Sequence, residues 1–269
     1  MRQERNLKVV NLNLWASEVD LEIRLATLKK YVDKTDPDVL LLQENLFING
    51  EISQASTLAD ACGYYYTGLE FNSSPAILTK LSPIKSGIIK TKKESAPVMN
   101  RFPYVVINRE CHKIMLTSLH LPWGPREDLR LKTMYEIEKN LAVKQEEYKP
   151  DFSIIGGDFN SQPYSDTIRF IEGKLVYNNF STLWLNSAAQ IGISDFATSS
   201  KDNPYAQITA KSAGITYMHE LPNRVIDYQF INGYAYGKIG YPQSGEMQPN
   251  KVDDLYVSDH SGMTIEYRC

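Results

Sequence analysis

Short apolar segments alternate along the chain with segments whose apolar residues recur at helical spacing. Residues 7–14 are rich in β-branched and apolar residues and predict a strand, and a helical stripe follows. Asp36-Pro37 ends this predicted helix, and residues 38–44 form an almost continuous apolar run, as expected for a strand covered on both faces. A second helix is predicted at 54–61. The stripe of the first helix consists of Leu21, Leu25, Leu28 and Val32.

The middle of the chain changes to short strands separated by Pro, Gly, Ser and Asn, which favours antiparallel pairing. A long helix opens at Gly124-Pro125, and another buried strand follows at 152–157. A short helix is predicted at 164–172, whereas 175–223 is predicted to be rich in loops. The remaining strands are predicted at 64–66, 76–78, 84–89, 102–107, 114–121, 225–231, 255–257 and 263–267.

The chain length of 269 residues suits one large α/β domain or two small ones, and 42% hydrophobic residues is ordinary for a protein with a sizeable core. No repeat, low-complexity segment or change of composition marks a linker, so a single domain spanning 1–269 is predicted. The lysine-containing stretch 90–97 is predicted to be a solvated loop rather than a nucleic-acid groove.

The net charge of −3 is unfavourable for a protein that binds duplex phosphates by counterion release alone. An anionic substrate must therefore meet a local site or a bound cation. Three scattered cysteines, Cys62, Cys111 and Cys269, favour a reducing, cytoplasmic location, and secretion stays open if a signal peptide was removed. No segment approaches membrane-spanning length, and a monomer is expected.

Polar side chains end several of the predicted strands. Glu44 follows an apolar run and a glutamine, where an ionised carboxylate is costly unless it is paired or bound to a metal. Mg²⁺ prefers carboxylate and amide oxygens together with retained waters. The alternative is that each of these residues merely caps its strand. The candidate ligands are Asn13, Glu44, Asp158 and Asp259.

Two motifs are more specific than any single residue. In Gly156-Gly157-Asp158-Phe159-Asn160, the glycines allow the backbone to approach a ligand, and Asp158 and Asn160 are predicted to project to one side of an extended segment. In Ser258-Asp259-His260, a histidine beside one carboxylate and within reach of another is oriented and kept basic.

His120 ends a predicted strand shortly before Trp123, so its ring is expected near a surface cleft; the alternative is a structural histidine at a sheet edge. Trp15 and Trp123 follow strand ends and are predicted to form substrate walls. The sequence contains no phosphate-binding loop, dinucleotide fingerprint, HExxH motif or nucleophile elbow, so covalent serine chemistry has little support.

The order of these motifs resembles the endonuclease/exonuclease/phosphatase superfamily, which includes pancreatic deoxyribonuclease, neutral sphingomyelinases and inositol-polyphosphate phosphatases. The resemblance implies a four-layer α/β/β/α sandwich with two packed mixed β-sheets flanked by helices. It also implies a metal-dependent hydrolase of phosphoester bonds that uses Mg²⁺, or alternatively Mn²⁺, with one or two ions. The motifs are Asn13, Gln43-Glu44, Ser118-Leu119-His120, Gly157-Asp158-Phe159-Asn160, Ile226-Asp227-Tyr228 and Ser258-Asp259-His260.

The resemblance also implies a role for each residue of the set. Arg101 is a candidate phosphate contact, for which a plain surface arginine is the alternative. By this resemblance, Glu44 is the principal metal ligand, with Asn13 and Asp259 nearby. Asp158 aligns or deprotonates water or protonates the leaving oxygen, and His120 serves the leaving-group side. Asn160 holds a phosphate oxygen, His260 contacts the phosphate or acts as base, and Asp227 orients His260.

Three functions are compatible with this sequence. The first is a phosphodiesterase acting on nucleic acid, as an endo- or exonuclease. The second is hydrolysis of a phospholipid, an inositol phosphate or a small metabolite, which the acidic balance favours. The third is a non-catalytic member that only binds, and the presence of the full residue set argues against it.

Overall fold

The computed structural model describes residues 6–48, 52–92, 99–193, 196–214, 223–233, 239–248 and 251–269. In the first half of the chain the elements are β1 (Leu7–Asn13), α1 (Leu21–Thr35), β2 (Val39–Asn45), β3 (Phe47–Ile48), β4 (Ile52–Ser53), α2 (Gln54–Cys62), β5 (Tyr65–Gly68), β6 (Ser74–Thr79), β7 (Lys85–Lys90), β8 (Arg101–Arg109) and β9 (His112–His120). In the second half they are α3 (Glu127–Tyr148), β10 (Phe152–Asp158), α4 (Asp166–Ile171), β11 (Leu185–Asn186), α5 (Ser187–Gln190), α6 (Pro204–Ser212), β12 (Asp227–Asn232), β13 (Pro242–Gln248), β14 (Lys251–Val252), β15 (Leu255–Tyr256) and β16 (Gly262–Tyr267).

The long strands form two six-stranded mixed sheets. Sheet one has the order β13-β16-β1-β2-β6-β5, and sheet two has the order β11-β12-β10-β9-β8-β7. Each sheet contains one parallel pair, β1 with β2 and β9 with β10, whereas the other pairs are antiparallel. Parallel neighbours need a crossover, and α1 and α3 supply it.

Alternating residues of the central strands separate the layers. Val9 and Leu41 of sheet one pack with Leu116 and Ile154 of sheet two in a core between the sheets. The intervening residues, such as Leu40, pack with α1 and α2 instead, and a third core lies between sheet two and the helices α3 and α4. Fully burying one such aliphatic side chain stabilises the fold by about 1.5–3 kcal/mol. The predicted four-layer α/β/β/α sandwich is therefore confirmed, as is the strand buried on both faces.

Helix boundaries follow the predicted stop signals. Asp36 adopts a left-handed conformation with φ of 48°, and its N–H donates to the carbonyl of Val32, which ends α1 immediately before Pro37. Gly63 ends α2 in the same way, with φ of 73°. Within the described ranges, no helix combines the length and the apolar character needed to cross a bilayer.

The described part of the region 175–223 is rich in loops as predicted, but it also contains the helices α5 and α6, which were not predicted. Helix α6 buries only Ala206 and Ala210, so it has no stripe of large apolar residues to reveal it. Its start carries a local signal, because the Asn203 side chain accepts from the N–H of Tyr205 and Pro204 follows the cap. Strand β13 was also missed, and most of the predicted loop 90–97 lies outside the described residues.

The paired glycines of β10 serve close packing between strands and sheets. A Cβ on Gly157 would lie 2.1 Å from the carbonyl oxygen of Leu119 on β9, and one on Gly156 would lie 2.6 Å from the Leu41 side chain in sheet one. Both positions are buried. We predicted that these glycines let the backbone approach a ligand. The structure shows instead that they allow β10 to pack closely against β9 and against sheet one.

A polar seam joins the two sheets directly beneath the strand ends. The Gln43 side-chain amide donates to Asn11 Oδ1 and to Ser118 Oγ, each over 3.0 Å, and Asn11 Nδ2 donates to the carbonyl of Gly157 over 3.3 Å. Ser118 Oγ in turn donates to the carbonyl of Leu42. Because a buried polar group without a hydrogen-bond partner destabilises the folded state, these bonds favour one alignment of sheet one on sheet two.

Candidate active site

Sheet register places the predicted polar residues at one edge of the sandwich. In sheet one, Asn13 pairs with Gln43, the residue before Glu44. In sheet two, Asp158 lies opposite His120 on β9 and opposite Asp227 on β12. Residues distant in the sequence are therefore neighbours because the two sheets present their strand ends at the same edge.

Glu44, His120 and Asp158 form a cluster across the two sheets. The Nε2 atom of His120 lies 3.8 Å from Glu44 Oε1 and 3.7 Å from Asp158 Oδ2. Asn13 Nδ2 donates to the same two oxygens, over 3.0 Å to Glu44 and 3.2 Å to Asp158. The second oxygen of Glu44 accepts from the backbone N–H of Ala16. Sheet one thus contributes Asn13 and Glu44, and sheet two contributes His120 and Asp158.

The two carboxylates of this cluster differ in acidity. Burial opposes ionisation of Glu44, but the His120 ring and the hydrogen bonds from Asn13 and Ala16 outweigh it and hold the pKa of Glu44 below its ordinary value. Burial, aided by the negative charge of Asp227, raises the pKa of Asp158 to about 6. A carboxyl group with a pKa near neutrality suits proton transfer.

His260 lies on the other side of Asp158 and is held by two carboxylates. Its Nδ1 atom is 2.9 Å from Asp227 Oδ2, and its Nε2 atom is 4.0 Å from Asp259 Oδ1. Burial disfavours the charged ring, but Asp227, Asp259 and Asp158 outweigh it and raise the pKa of His260 well above its ordinary value. The arrangement favours an imidazolium that donates hydrogen bonds toward an anion.

Asp259, a predicted metal ligand, lies beside His260 rather than in the Glu44–His120–Asp158 cluster, and it is fixed from α6. Its Oδ2 atom accepts from Thr209 Oγ1 over 2.8 Å, and the Ser258 hydroxyl donates to Oδ1 over 3.3 Å. Burial and the nearby charge of Glu44 raise the pKa of Asp259. Thr209 was not singled out from the sequence, because it lies in a helix whose apolar pattern is weak.

The donor set fits a divalent cation. One atom each of Glu44, His120 and Asp158 lies within 4.8 Å of the others, and the same holds for Asp158, Asp227 and His260. In the second group the neighbouring carboxylates keep the His260 ring protonated, and a protonated ring has no lone pair for a cation, so the first group is the better cation site. Two buried carboxylate oxygens close together repel each other, and a cation between them removes that repulsion.

Left-handed backbone occurs at several positions of this edge. The φ angles are 58° at Trp15, 51° at Glu44 and 49° at Asn160, all unusual for residues other than glycine. Asn160 therefore does not continue β10 as the predicted extended segment. Its N–H donates to Asp158 Oδ1, and its Nδ2 donates to the carbonyl of Leu121, which ties the loop after β10 to the loop after β9.

The sequence matches the model of the Endonuclease/Exonuclease/phosphatase family over residues 10–260, which include both halves of this site. The chain belongs to this family. Its members are generally phosphoesterase hydrolases that depend on divalent metal ions. A search of curated proteins finds no match.

Several solved structures share the fold of this chain at low sequence identity. A D. rerio TDP2 complexed with single strand DNA product has a TM-score of 0.73 and 17% identity, covering 98% of this chain and 99% of that one. A truncated Caenorhabditis elegans TDP2 has a TM-score of 0.73 and 13% identity, with 98% of each chain covered. An endonuclease/exonuclease/phosphatase family protein from Bacteroides thetaiotaomicron has a TM-score of 0.72 and 16% identity, with 98% of each chain covered.

The two predicted substrate contacts of this family member lie at the periphery of the cluster. Arg101 is exposed at the start of β8, at the end of sheet two that carries His120, because β8 and β9 are antiparallel with Tyr104 opposite Thr117. Trp123 is 72% exposed in the loop after β9. Tyr164, in the loop after β10, is 89% exposed and was not singled out from the sequence.

The prediction that Trp15 forms a substrate wall was wrong. Trp15 is only 6% exposed, because its ring lies between the Arg24 guanidinium and the Tyr205 ring, whose centroid is 4.7 Å from that of Trp15. A tryptophan after a strand end has the same sequence signature whether it is covered or free. Its partner Tyr205 lies in α6, which the hydrophobic pattern did not reveal.

Proposed function

We propose that this protein is a divalent-metal-dependent phosphodiesterase that acts on nucleic acid. The observation that carries the proposal is that Asp158 belongs to two adjacent groups. One is a candidate cation site with Glu44 and His120, and the other contains the hydrogen-bonded pair His260 and Asp227. Hydrolysis of a phosphodiester needs an ion to hold the phosphate, a group to transfer protons and a donor toward the phosphoryl oxygens. The neighbouring groups would supply a site for the ion, the group that transfers protons and the hydrogen-bond donor.

Glu44 and Asp158 would hold Mg²⁺ or Mn²⁺. Asn13 would orient both carboxylates rather than bind the ion, since its Nδ2 faces them while its Oδ1 accepts from the Trp15 N–H, and Asp259 would add negative charge beside His260. A bound ion of this kind polarises the phosphoryl group and neutralises charge that develops during attack. Glu44 is suited to the role because its pKa lies below the ordinary value and it stays ionised at neutral pH. Asn13 keeps its carboxamide close to both carboxylates through the bond from the Trp15 N–H to Asn13 Oδ1.

His260 would donate to a phosphoryl oxygen, and Asp227 would keep the ring oriented for this contact. The 2.9 Å contact on Nδ1 leaves Nε2 as the atom available to substrate. Asp158 would align the attacking water beside the ion, and its pKa of about 6 belongs to the ion-free site. His120 would serve the leaving oxygen from the opposite side, and Asn160 would contact the phosphate once substrate displaces its bond to Leu121.

Nucleic acid is the favoured substrate because exposed aromatic side chains lie on the loops that follow two strands of the site. Trp123 and Tyr164 lie exposed on the loops after β9 and β10, which the Asn160–Leu121 bond joins. Exposed aromatic rings provide stacking surfaces for bases, and Arg101 at the same end of sheet two would contact a phosphate. The similar D. rerio TDP2 was crystallised with a single strand DNA product.

A small phosphoester or lipid headgroup is the second candidate, and a pocket favours it. The segments after Asn13 and Glu44 border an open pocket of about 510 Å³ lined by Glu18, Asp20, Glu22 and the apolar residues Leu21, Ile23, Leu46 and Ile48. Its acidic wall repels a continuous phosphate backbone and leaves room for an uncharged or cationic group.

A substrate panel tests the proposal and separates the two candidates. Single-stranded, duplex, nicked and abasic DNA, RNA, phosphatidyl and inositol phosphoesters would be incubated with Mg²⁺ or Mn²⁺, with and without EDTA. We expect metal-dependent cleavage of nucleic acid that Glu44→Gln and His260→Ala each reduce at least about 100-fold, since each removes a group acting at the phosphate. Asp33→Asn, which breaks an exposed pair with Lys29, is the control.

Release of phosphate or headgroup without nuclease products would transfer the assignment to the second candidate. Wild-type protein and Glu44→Gln that behave alike on every substrate would instead support the non-catalytic, binding-only alternative. The Asp33→Asn control is expected to match the wild type in either case.

A further inference from the structure

A buried arginine that does not belong to the predicted site residues connects two of its segments. Arg24 lies on α1, is 1% exposed, and uses all five guanidinium N–H groups. Nε donates to the carbonyl of Val257 over 3.3 Å, and Nη1 donates to those of Ser17 over 2.8 Å and Val19 over 3.2 Å. Nη2 donates to the carbonyls of Leu14 and Trp15.

The five carbonyls come from the two segments that carry the cation-side residues of sheet one. Leu14 to Val19 follow Asn13 directly, and Val257 lies two residues before Asp259. The guanidinium therefore joins the chain after β1 to the chain before β16. We refer to Arg24 and its five carbonyl partners as the Arg24 clamp.

Helix α6 closes the Arg24 clamp from the outside. The guanidinium lies 4.6 Å from the centroid of the Trp15 ring, whose other neighbour is Tyr205. The Tyr205 hydroxyl donates to Asp20 over 3.0 Å, and Asn203 Nδ2 donates to the carbonyl of Ser258 over 2.9 Å. The segment around Asp259 is thus held by Arg24 from one side and by α6 from the other.

The chemistry of the contacts indicates a positional role beyond filling the core. A buried positive charge is costly, and an apolar side chain of similar size fills space without that cost. What a guanidinium provides is a planar fork that fixes several acceptors at once. Burial lowers the pKa of Arg24, while Asp259, Asp20 and Glu44 act in the opposite direction, so the guanidinium also lies within the field of the site.

We propose that Arg24 is a positioning residue of the active site: its fork sets the distance between the Asn13 and Asp259 segments, so that Glu44, which Asn13 holds, and His260, which Asp259 adjoins, act on the same bound cation and phosphate. This inference rests on the proposed metal-dependent function. The proposed role requires the planar guanidinium and not only its charge. Lysine has the same charge but offers at most three donors from a single nitrogen.

Arg24→Lys tests the requirement for the fork, with Arg109→Lys as the matched control. Arg109 also donates from its guanidinium to a backbone carbonyl, that of Asn6, and pairs with Asp38, but at the opposite end of β8 from Arg101. Mn²⁺ binding would be measured by isothermal titration calorimetry, alongside kcat and KM. We expect Arg24→Lys to weaken Mn²⁺ binding and lower kcat by about 10- to 100-fold, with KM changed far less. Arg109→Lys should change neither.

Chemical rescue gives an independent measurement. In Arg24→Ala, millimolar guanidinium should recover part of the lost Mn²⁺ affinity and kcat, whereas equal concentrations of ammonium should not. If Arg24→Ala does not fold, Arg24→Lys alone decides the question. Wild-type Mn²⁺ affinity in Arg24→Lys, or losses in Arg24→Lys no greater than those in Arg109→Lys, would overturn the proposal. If wild-type protein cleaves no phosphoester, the proposed function fails, and the Mn²⁺ titrations still test the clamp.

Discussion

Two carboxylates hold the His260 ring, and only one of them makes a short hydrogen bond to it. Asp227 contacts Nδ1 over 2.9 Å, whereas Asp259 lies 4.0 Å from Nε2. Asp227 therefore sets the ring orientation and, of the neighbouring carboxylates, raises the pKa of the ring the most.

Asp227→Asn should lower kcat by about 100-fold, because the uncharged amide stabilises the imidazolium less and permits other ring orientations. KM should change much less. Steady-state kinetics with the preferred substrate would measure kcat and KM. Asp151→Asn is the control, since Asp151 Oδ2 lies 3.7 Å from His112 Nδ1 and Asp151 is not a site residue. An unchanged kcat in Asp227→Asn would exclude His260 from the chemical step.

Single residues were predictable where a motif constrained them. Ser258-Asp259-His260 and the Asp158 motif predicted a histidine between carboxylates, and the geometry has that form. Trp15 was not predictable, since the Arg24 guanidinium that covers it comes from the next helix and leaves no pattern near the strand end. Composition and spacing describe which groups are available, but not which ones are already occupied.

At the scale of elements, α3 carries a buried acid that links it to the chain before β11. Glu138 Oε2 accepts from Thr182 Oγ1 over 2.7 Å and from Trp184 Nε1 over 2.9 Å. Among the described residues, Glu138 Oε1 has no hydrogen-bond partner. Burial raises the pKa of Glu138 to about 7, although both hydrogen bonds act in the opposite direction.

The raised pKa of Glu138 makes stability depend on pH. The unfolded chain ionises this group near 4.5, whereas the native protein holds its proton up to about 7. Its contribution is therefore complete below pH 4.5 and is lost as the pH rises to about 7, a loss of about 3 kcal/mol at most. Urea unfolding of Glu138→Gln should show less decline than wild type between pH 5 and pH 8. Parallel declines in the two proteins would contradict this assignment.

Elements with a strong apolar period were predictable, and those without one were not. The apolar stripe of α1 and the apolar run of β2 predicted the ends of these two elements to within a few residues. Helix α6 buries two alanines and is otherwise held by its cap and by polar contacts from Asn203 and Thr209. Because tertiary contacts rather than periodicity define α6, sequence reasoning assigned its region to loops.

At the scale of the whole molecule, the candidate cation site spans both sheets. Glu44 belongs to sheet one, whereas His120 and Asp158 belong to sheet two. An ion held there would join the two halves of the sandwich and bind the native state far better than the unfolded chain.

Mn²⁺ should therefore raise the free energy of unfolding by about 2.7 kcal/mol at 100 times its dissociation constant. Thermal unfolding with and without EDTA would measure the shift. Glu44→Gln should lose most of the stabilisation, and Asp33→Asn, in an exposed pair with Lys29, should keep it. Equal stabilisation of all three proteins would place the ion elsewhere.

Local sequence patterns could not predict how the two sheets pack face to face. Period-two alternation predicts which strands are buried, but not which of them meet across the sandwich. The resemblance of the ordered motifs supplied that information, and the polar seam of Asn11, Gln43 and Ser118 shows how this chain enforces it.

The position of β1 has a consequence for how the protein is made. β1 is paired on one side with β2 and on the other with β16, where Leu7 lies opposite Tyr267. During synthesis β1 must wait until β16, which begins at Gly262, has left the ribosome before its second neighbour arrives. Such distant pairing slows folding, and until it forms, an apolar strand edge stays open to nascent chains nearby. We therefore expect chaperone dependence to be concentrated in this last step of assembly.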